Sequence, residues 1–190
     1  MSEELLIDLC SPTLAGLKTA SLISVTYEDE LSMKEDVRSL NEMLVEKGIR
    51  VVPLQFKDGR ALIYFYRPCQ LSRDISCARA RELLSEIGYH TGNAGKCVTR
   101  LAQRIKESSE FPHEIGFFLG YPTEDVIGFI TNKGRNCKAC GLWKVYGDVE
   151  AAEKRFRQCR KCCDVYKQCW RQGKSIEELT VRINRPVAIN

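Results

Sequence analysis

Two short β-rich runs constrain this chain more than any other feature. Arg50–Phe56 and Ala61–Tyr66 are crowded with β-branched and aromatic residues, and only Lys57-Asp58-Gly59-Arg60 separates them. An Asp-Gly pair between two such runs reads as a tight turn, so the segment is a β-hairpin. Leu22–Tyr27, Ile115–Leu119 and Leu142–Tyr146 have the same composition and read as three further strands.

Helical signals fill the intervals. Ser32 with Glu35 forms a capping-box pattern, and Met33, Val37, Leu40 and Leu44 follow at helical spacing up to Gly48. Ser72 is placed to open a second helix whose apolar face is Ala80, Leu83, Leu84 and Ile87. Asn93 precedes a third, with Cys97, Val98, Leu101 and Ile105 inward. Asp148 caps the longest, which ends near Gly173, and Ser175 with Glu178 caps a short last one. Pro12, just after Ser11, suits a first helical turn. Thr123–Ile130 reads as a helix with Pro122 at its start. The expected fold is α+β: a mixed sheet of about five strands, including the hairpin, with helices packed on it. The 190 residues form one expected domain, 1–190, with a basic helical segment, 148–185, as part of it.

Composition narrows the setting. An apolar fraction of 44% and a charged fraction of 28% exclude disorder as a class for the whole chain. No apolar run reaches the roughly 18 residues of a membrane span, and the acidic start MSEELLIDLC lacks the basic region of a signal peptide. Ten cysteines without such a signal point to reduced thiols and a cytoplasmic protein. Residues 131–174 hold twelve Lys or Arg against four acids, a net +8 within a chain of net +4. That asymmetry fits an acidic protein partner or a solvated helix face. Trp143 and Trp170 among the basic residues offer stacking surfaces, but a pI of about 8.5 argues against a dedicated nucleic-acid module.

Five stretches together carry a resemblance. They are Cys10-Ser-Pro-Thr-Leu-Ala-Gly-Leu-Lys18, Leu62-Ile-Tyr-Phe-Tyr-Arg67, Phe111-Pro-His-Glu-Ile-Gly-Phe-Phe-Leu-Gly-Tyr-Pro122, Glu124-Asp-Val-Ile-Gly-Phe-Ile130 and Trp143-Lys-Val-Tyr-Gly-Asp148. Over nearly its whole length the chain resembles an uncharacterised family of bacterial cytosolic proteins found largely in anaerobic Firmicutes. The resemblance implies a single domain in a bacterial cytosol and implies no activity.

Three candidate sites follow from the residues. Cys10, placed before Ser11-Pro12 at an expected helix N-terminus, would have its thiolate favoured there. His113, at the expected start of a strand, could serve as its base, with Glu114 as orienting acid, giving a thiol-dependent hydrolase or transferase. Cys137-x2-Cys140 and Cys159-x2-Cys162 have the spacing of a four-thiolate zinc or iron–sulfur site. Against that, Cys159 and Cys162 fall on the apolar stripe of the long helix, where core residues must lie anyway. Lys18, Arg67 and Asp125 are candidate ligand-binding residues; a pocket shared by Lys18, Arg67 and His113 would take an anionic small molecule. His90–Cys97 resembles a phosphate loop only superficially, since a P-loop needs glycine at 90 and Ser or Thr at 97. The reading that assumes least is a non-enzymatic cytosolic binding protein whose site is lined by the five stretches.

Overall fold

In the computed structural model, the hairpin supplies two of the three strands of the main sheet, its second strand at the centre. The structure describes residues 1–108 and 110–183; residues 184–190, which end the expected domain and the expected basic segment, lie outside the described residues. Strand β2 (Arg50–Lys57) turns through Asp58 and Gly59, both at positive φ, into β3 (Arg60–Tyr66). Strand β1 (Ala20–Thr26) pairs on the other side of β3, giving the order β1-β3-β2, antiparallel throughout. Two further strands, β4 (Ala139–Cys140) and β5 (Lys144–Val145), form a separate two-stranded ribbon. The fold is α+β, but the five strands among the described residues divide into two antiparallel sheets instead of one mixed sheet.

Side-chain alternation along β3 decides what each face meets. Ala61, Ile63 and Phe65 point to one side and Tyr64 and Tyr66 to the other, and all five are buried. On the first face pack α1 (Glu3–Leu14), α2 (Glu30–Leu44), α9 (Ile176–Leu179) and the end of α8 (Val149–Arg171). On the second pack α3 (Pro68–Ser76), α4 (Ala78–Glu86), α5 (Ala94–Glu107), α6 (Ile115–Phe118) and α7 (Thr123–Thr131). The result is three layers with the sheet in the middle. The ribbon has its own small core, in which Val145 packs on Ala152 and Phe156 from the first turns of α8.

Several local expectations need correction. Ile115–Leu119 is not a strand: Ile115–Phe118 is a helical turn, a known ambiguity of short apolar runs. His113 therefore lies in a turn and begins no strand. Pro12 is not in a first turn. Helix α1 starts at the Ser2 cap and carries Pro12 near its far end. Helix α2 is capped by Asp29, whose carboxylate accepts from Ser32 N at 2.8 Å, and the chain breaks at Cys77 to separate α3 from α4. Asn93, Asp148 and Ser175 cap α5, α8 and α9, and Ser175 with Glu178 forms a capping box.

Candidate functional site

A cleft of about 540 Å³ opens where the second helical layer meets the ribbon and α8. Its floor and walls come from α3, the turn after α6, the start of α7, the ribbon and the first turns of α8. The turn after α6 fits because residue 120 is glycine. Gly120 has φ +70°, and a β-carbon there would collide with Thr19. One wall is aromatic: Tyr121 and Trp143 stack with ring centroids 4.9 Å apart at 27°, and Trp143 rests its face or edge on Phe156 at 4.5 Å and 77°.

The charges of the cleft are unequally engaged. Asp74 accepts a hydrogen bond from Thr19 Oγ1. Asp148 accepts from Ala151 N at 3.0 Å as the cap of α8, and Glu124 Oε1 accepts from Asp148 N at 3.4 Å. Arg73 on α3 and Arg155 on α8 also line the cleft, and among the described residues neither takes part in an ion pair. Burial pushes the Asp74 carboxyl above its ordinary range, opposed by the Thr19 hydrogen bond and by the charges of Arg73 and Arg155. Both guanidinium groups are thus close enough to act on Asp74.

The residues singled out in the sequence disperse. Cys10 is buried in the first layer, in the latter part of α1, away from that helix's N-terminus. Burial pushes its thiol up to about 12, outweighing a hydrogen bond with Ser21 and the charge of Lys18. His113 belongs to the other side of the sheet, edge-on to Phe129 at 5.1 Å. Glu114 is buried and accepts from Arg104 Nε at 2.6 Å and Tyr89 Oη at 3.0 Å. Cys10, His113 and Glu114 are not brought together as nucleophile, base and orienter. Iodoacetamide at pH 8 is accordingly expected to alkylate the exposed Cys77 and Cys140 in the native protein and to leave Cys10 unmodified, as read by peptide mass mapping. Alkylation of Cys10 at a comparable rate would contradict its placement. The same shift has a stability consequence of fixed sign. A thiol held above its ordinary value of 9.0 favours folding fully below pH 9, and that contribution is lost as pH rises towards 12.

Arg67 is only 1% exposed, and its guanidinium is consumed by main-chain carbonyls. Nε donates to Thr13 O at 2.8 Å, Nη1 to Lys47 O at 3.1 Å, and Nη2 to Leu14 O at 2.7 Å and Val181 O at 2.9 Å. Thr13 and Leu14 end α1 and Lys47 ends the short turn after α2, where the helix dipole is negative and each carbonyl, beside the N–H of Gly16, Val181 or Ile183, has a second lone pair for the guanidinium. Asp125 is likewise buried and engaged, accepting from Trp143 Nε1 at 2.7 Å, Tyr146 N at 2.7 Å and Gly147 N at 2.8 Å. It ties α7 to the ribbon and so positions the Trp143 wall. Lys18 Nζ stands 5.3 Å from the Tyr121 ring centroid, with burial lowering its pKa. The recess that His113 lines includes neither Lys18 nor Arg67.

The four cysteines of the metal spacing occupy two environments. Cys137 and Cys140 belong to the loop and strand of the ribbon, half-buried and exposed, whereas Cys159 and Cys162 are buried on α8. Among the described residues no three side chains of His, Cys, Asp or Glu gather as a metal-holding group. The segment that imitates a phosphate loop is the Asn93-capped start of α5.

The sequence reading missed Arg73, Asp74 and Arg155. Arg155 was visible only as one of many charges on a basic segment, and nothing in the spacing joins it to α3. Tyr121 and Trp143 were visible inside two of the five stretches, and it is the fold that stacks them.

Three layers around a small antiparallel sheet, with a mixed-charge cleft beside an aromatic wall, define an α+β protein with a ligand-sized recess. The chain belongs to the family described as a protein of unknown function (DUF3793), which it matches over residues 6–180. No curated protein and no solved structure matches the chain. No helix among the described residues is long and apolar enough to cross a membrane.

Proposed function

We propose that the protein binds an anionic small molecule, bearing a phosphate or carboxylate group, in the cleft between α3 and α8. The observation that carries this reading is the pair Arg73 and Arg155. They face one recess and form no ion pair among the described residues; of the three carboxylates that also line it, Asp74 is the one on which both arginine charges act, while Asp148 is turned to the N–H of Ala151 and Glu124 to that of Asp148. Two guanidinium groups on opposing helices suit an oxyanion. The Tyr121–Trp143 wall offers a planar surface to the body of the same molecule. The volume of about 540 Å³ lies within the usual range of ligand pockets, ~300–1,000 Å³. The ten cysteines stand free, and this suits a reducing bacterial cytosol as the setting.

Thermal-shift titrations with adenosine 5′-monophosphate and with citrate test the reading and separate a ring-bearing phosphate from a simple polycarboxylate. At least one probe is expected to raise the melting temperature of the wild type. Arg73→Ala and Arg155→Ala, both at exposed positions, are each expected to weaken that binding about tenfold, the order of one charged hydrogen bond. Wild-type affinity in both variants, or no shift of the wild type with either probe at millimolar concentration, would overturn it.

A further inference from the structure

Behind the aromatic wall lies a second recess, of about 300 Å³, that the charged cleft does not explain. It is bounded on three sides, by the segment leading into α6, by α7 and by the ribbon. Tyr121, Trp143, Phe129, Ile115 and Val126 give it an apolar, mostly aromatic lining. Its polar groups are few. Asp125 lines it, but its oxygens already accept three N–H groups. Lys144 brings a positive charge, with Nζ 5.8 Å from the Phe129 centroid while donating to Gly134 O at 2.7 Å. His113 is exposed against the edge of the same ring. No ion-pair partner of Lys144 occurs among the described residues.

We infer that this recess is a binding site for a single-ring aromatic carboxylate. A cavity of about 150 Å³ is enough to hold benzene, so roughly 300 Å³ takes one ring and its substituent. The aromatic walls receive the ring by offset or edge contacts. The carboxylate points to the mouth, where Lys144 and His113 supply donors; the charge of Asp125 is met by its own three N–H donors and takes no part in holding the ligand. The recess is a separate site from the cleft of Arg73 and Arg155, with Trp143 and Tyr121 as the shared partition.

Fluorine NMR with 4-fluorobenzoate, and with neutral 4-fluoroanisole as comparison, tests the inference on the intact protein. The wild type is expected to broaden and shift the 4-fluorobenzoate resonance. Lys144→Ala is expected to weaken 4-fluorobenzoate about fivefold, the order of one partly exposed charge pair, and to leave 4-fluoroanisole unchanged. Ile115→Trp, which fills the recess from its half-buried lining, should abolish binding of both probes. Should Ile115→Trp fail to fold, Phe129→Ala serves in its place, expected to weaken both probes. Arg155→Ala should affect neither. Absence of binding by the wild type, or loss of 4-fluorobenzoate binding on Arg155→Ala with Lys144→Ala unaffected, would overturn the inference. The latter outcome would place the carboxylate in the charged cleft and so support the reading of that cleft.

Discussion

Replacing Arg67 by methionine is expected to lower the folding free energy by about 4 kcal/mol, the scale of removing one partner from a buried, charge-assisted network. For a chain of this size the corresponding fall in melting temperature is roughly 8–16 °C. The reason is where the guanidinium sits. It fastens the end of β3 to the last turn of α1, to the turn after α2 and to Val181 near the end of the described chain. Methionine fills much of the volume but removes four charge-assisted hydrogen bonds that tie three segments to β3; Thr13 O, Leu14 O and Lys47 O keep the N–H groups of Gly16, Val181 and Ile183, and Val181 O loses the guanidinium donor. Lysine keeps the charge and should rescue little, because one ammonium cannot match a planar fork set against carbonyls from three segments. Circular dichroism melts of Arg67→Met and Arg67→Lys check this. A loss below about 1 kcal/mol in both would contradict a structural role and return Arg67 to the list of ligand-binding candidates.

Asp125→Asn should destabilise the protein by about 2–4 kcal/mol and should be visible locally as well. The carboxylate accepts from Trp143 Nε1 and from the main-chain N–H groups of Tyr146 and Gly147. An asparagine of the same shape turns its own NH₂ towards one of these donors, leaving two donors facing each other in a buried place. The ribbon should loosen from α7, and Trp143 with it. Trp170, the other tryptophan, donates instead to Glu3 at the opposite end of α8. In a Trp170→Phe background the emission therefore reports Trp143 alone, and Asp125→Asn is expected to shift it to the red as the ring gains water. Unchanged emission with an unchanged melt would show that Asp125 does not hold the wall.

Much of the secondary structure was legible because caps act locally. Asn93, Asp148 and Ser175 each satisfy N–H groups within their own first turn, so four residues of sequence suffice to see them. The hairpin was legible for the same reason, since Asp58 and Gly59 take the positive φ that the turn requires. Ile115–Leu119 failed because a run of five apolar residues has no period of its own, and the packing of Phe117 and Phe118 decides its form. Pro12 misled because proline is also tolerated late in α1, whose start is signed by Ser2, Glu3 and Glu4. That shift moves Cys10 from the positive to the negative end of a helix and removes the basis for an activated thiol there.

The candidate site was less legible, for a physical reason. Arg67 and Asp125 were visible as candidate ligand-binding residues, but residue type does not show the partner. Each is answered by main-chain or indole groups distant in sequence, and so is structural. Arg73 and Arg155 carry the opposite lesson. They are ordinary charged residues in sequence, and only the placing of α3 and α8 along one cleft gives them a common target. The paired thiols of the C-terminal segment show the same effect in reverse, because helical geometry turns Cys159 and Cys162 inward while the ribbon holds Cys137 and Cys140 apart from them.

The central claim is that the cleft between α3 and α8 receives an anion through two particular arginines. Its most direct test is a titration of arginine-labelled protein with adenosine 5′-monophosphate and with citrate, followed at the side-chain Nε–H resonances. At least one ligand should shift the signals of Arg73 and Arg155 with a common saturation curve, leaving Arg67 and Arg104, already engaged, in place. Shifts spread over the outward residues of α8, Arg157 and Arg160 among them, would mean diffuse attraction to a basic helix, and no shift at Arg73 or Arg155 would contradict the account.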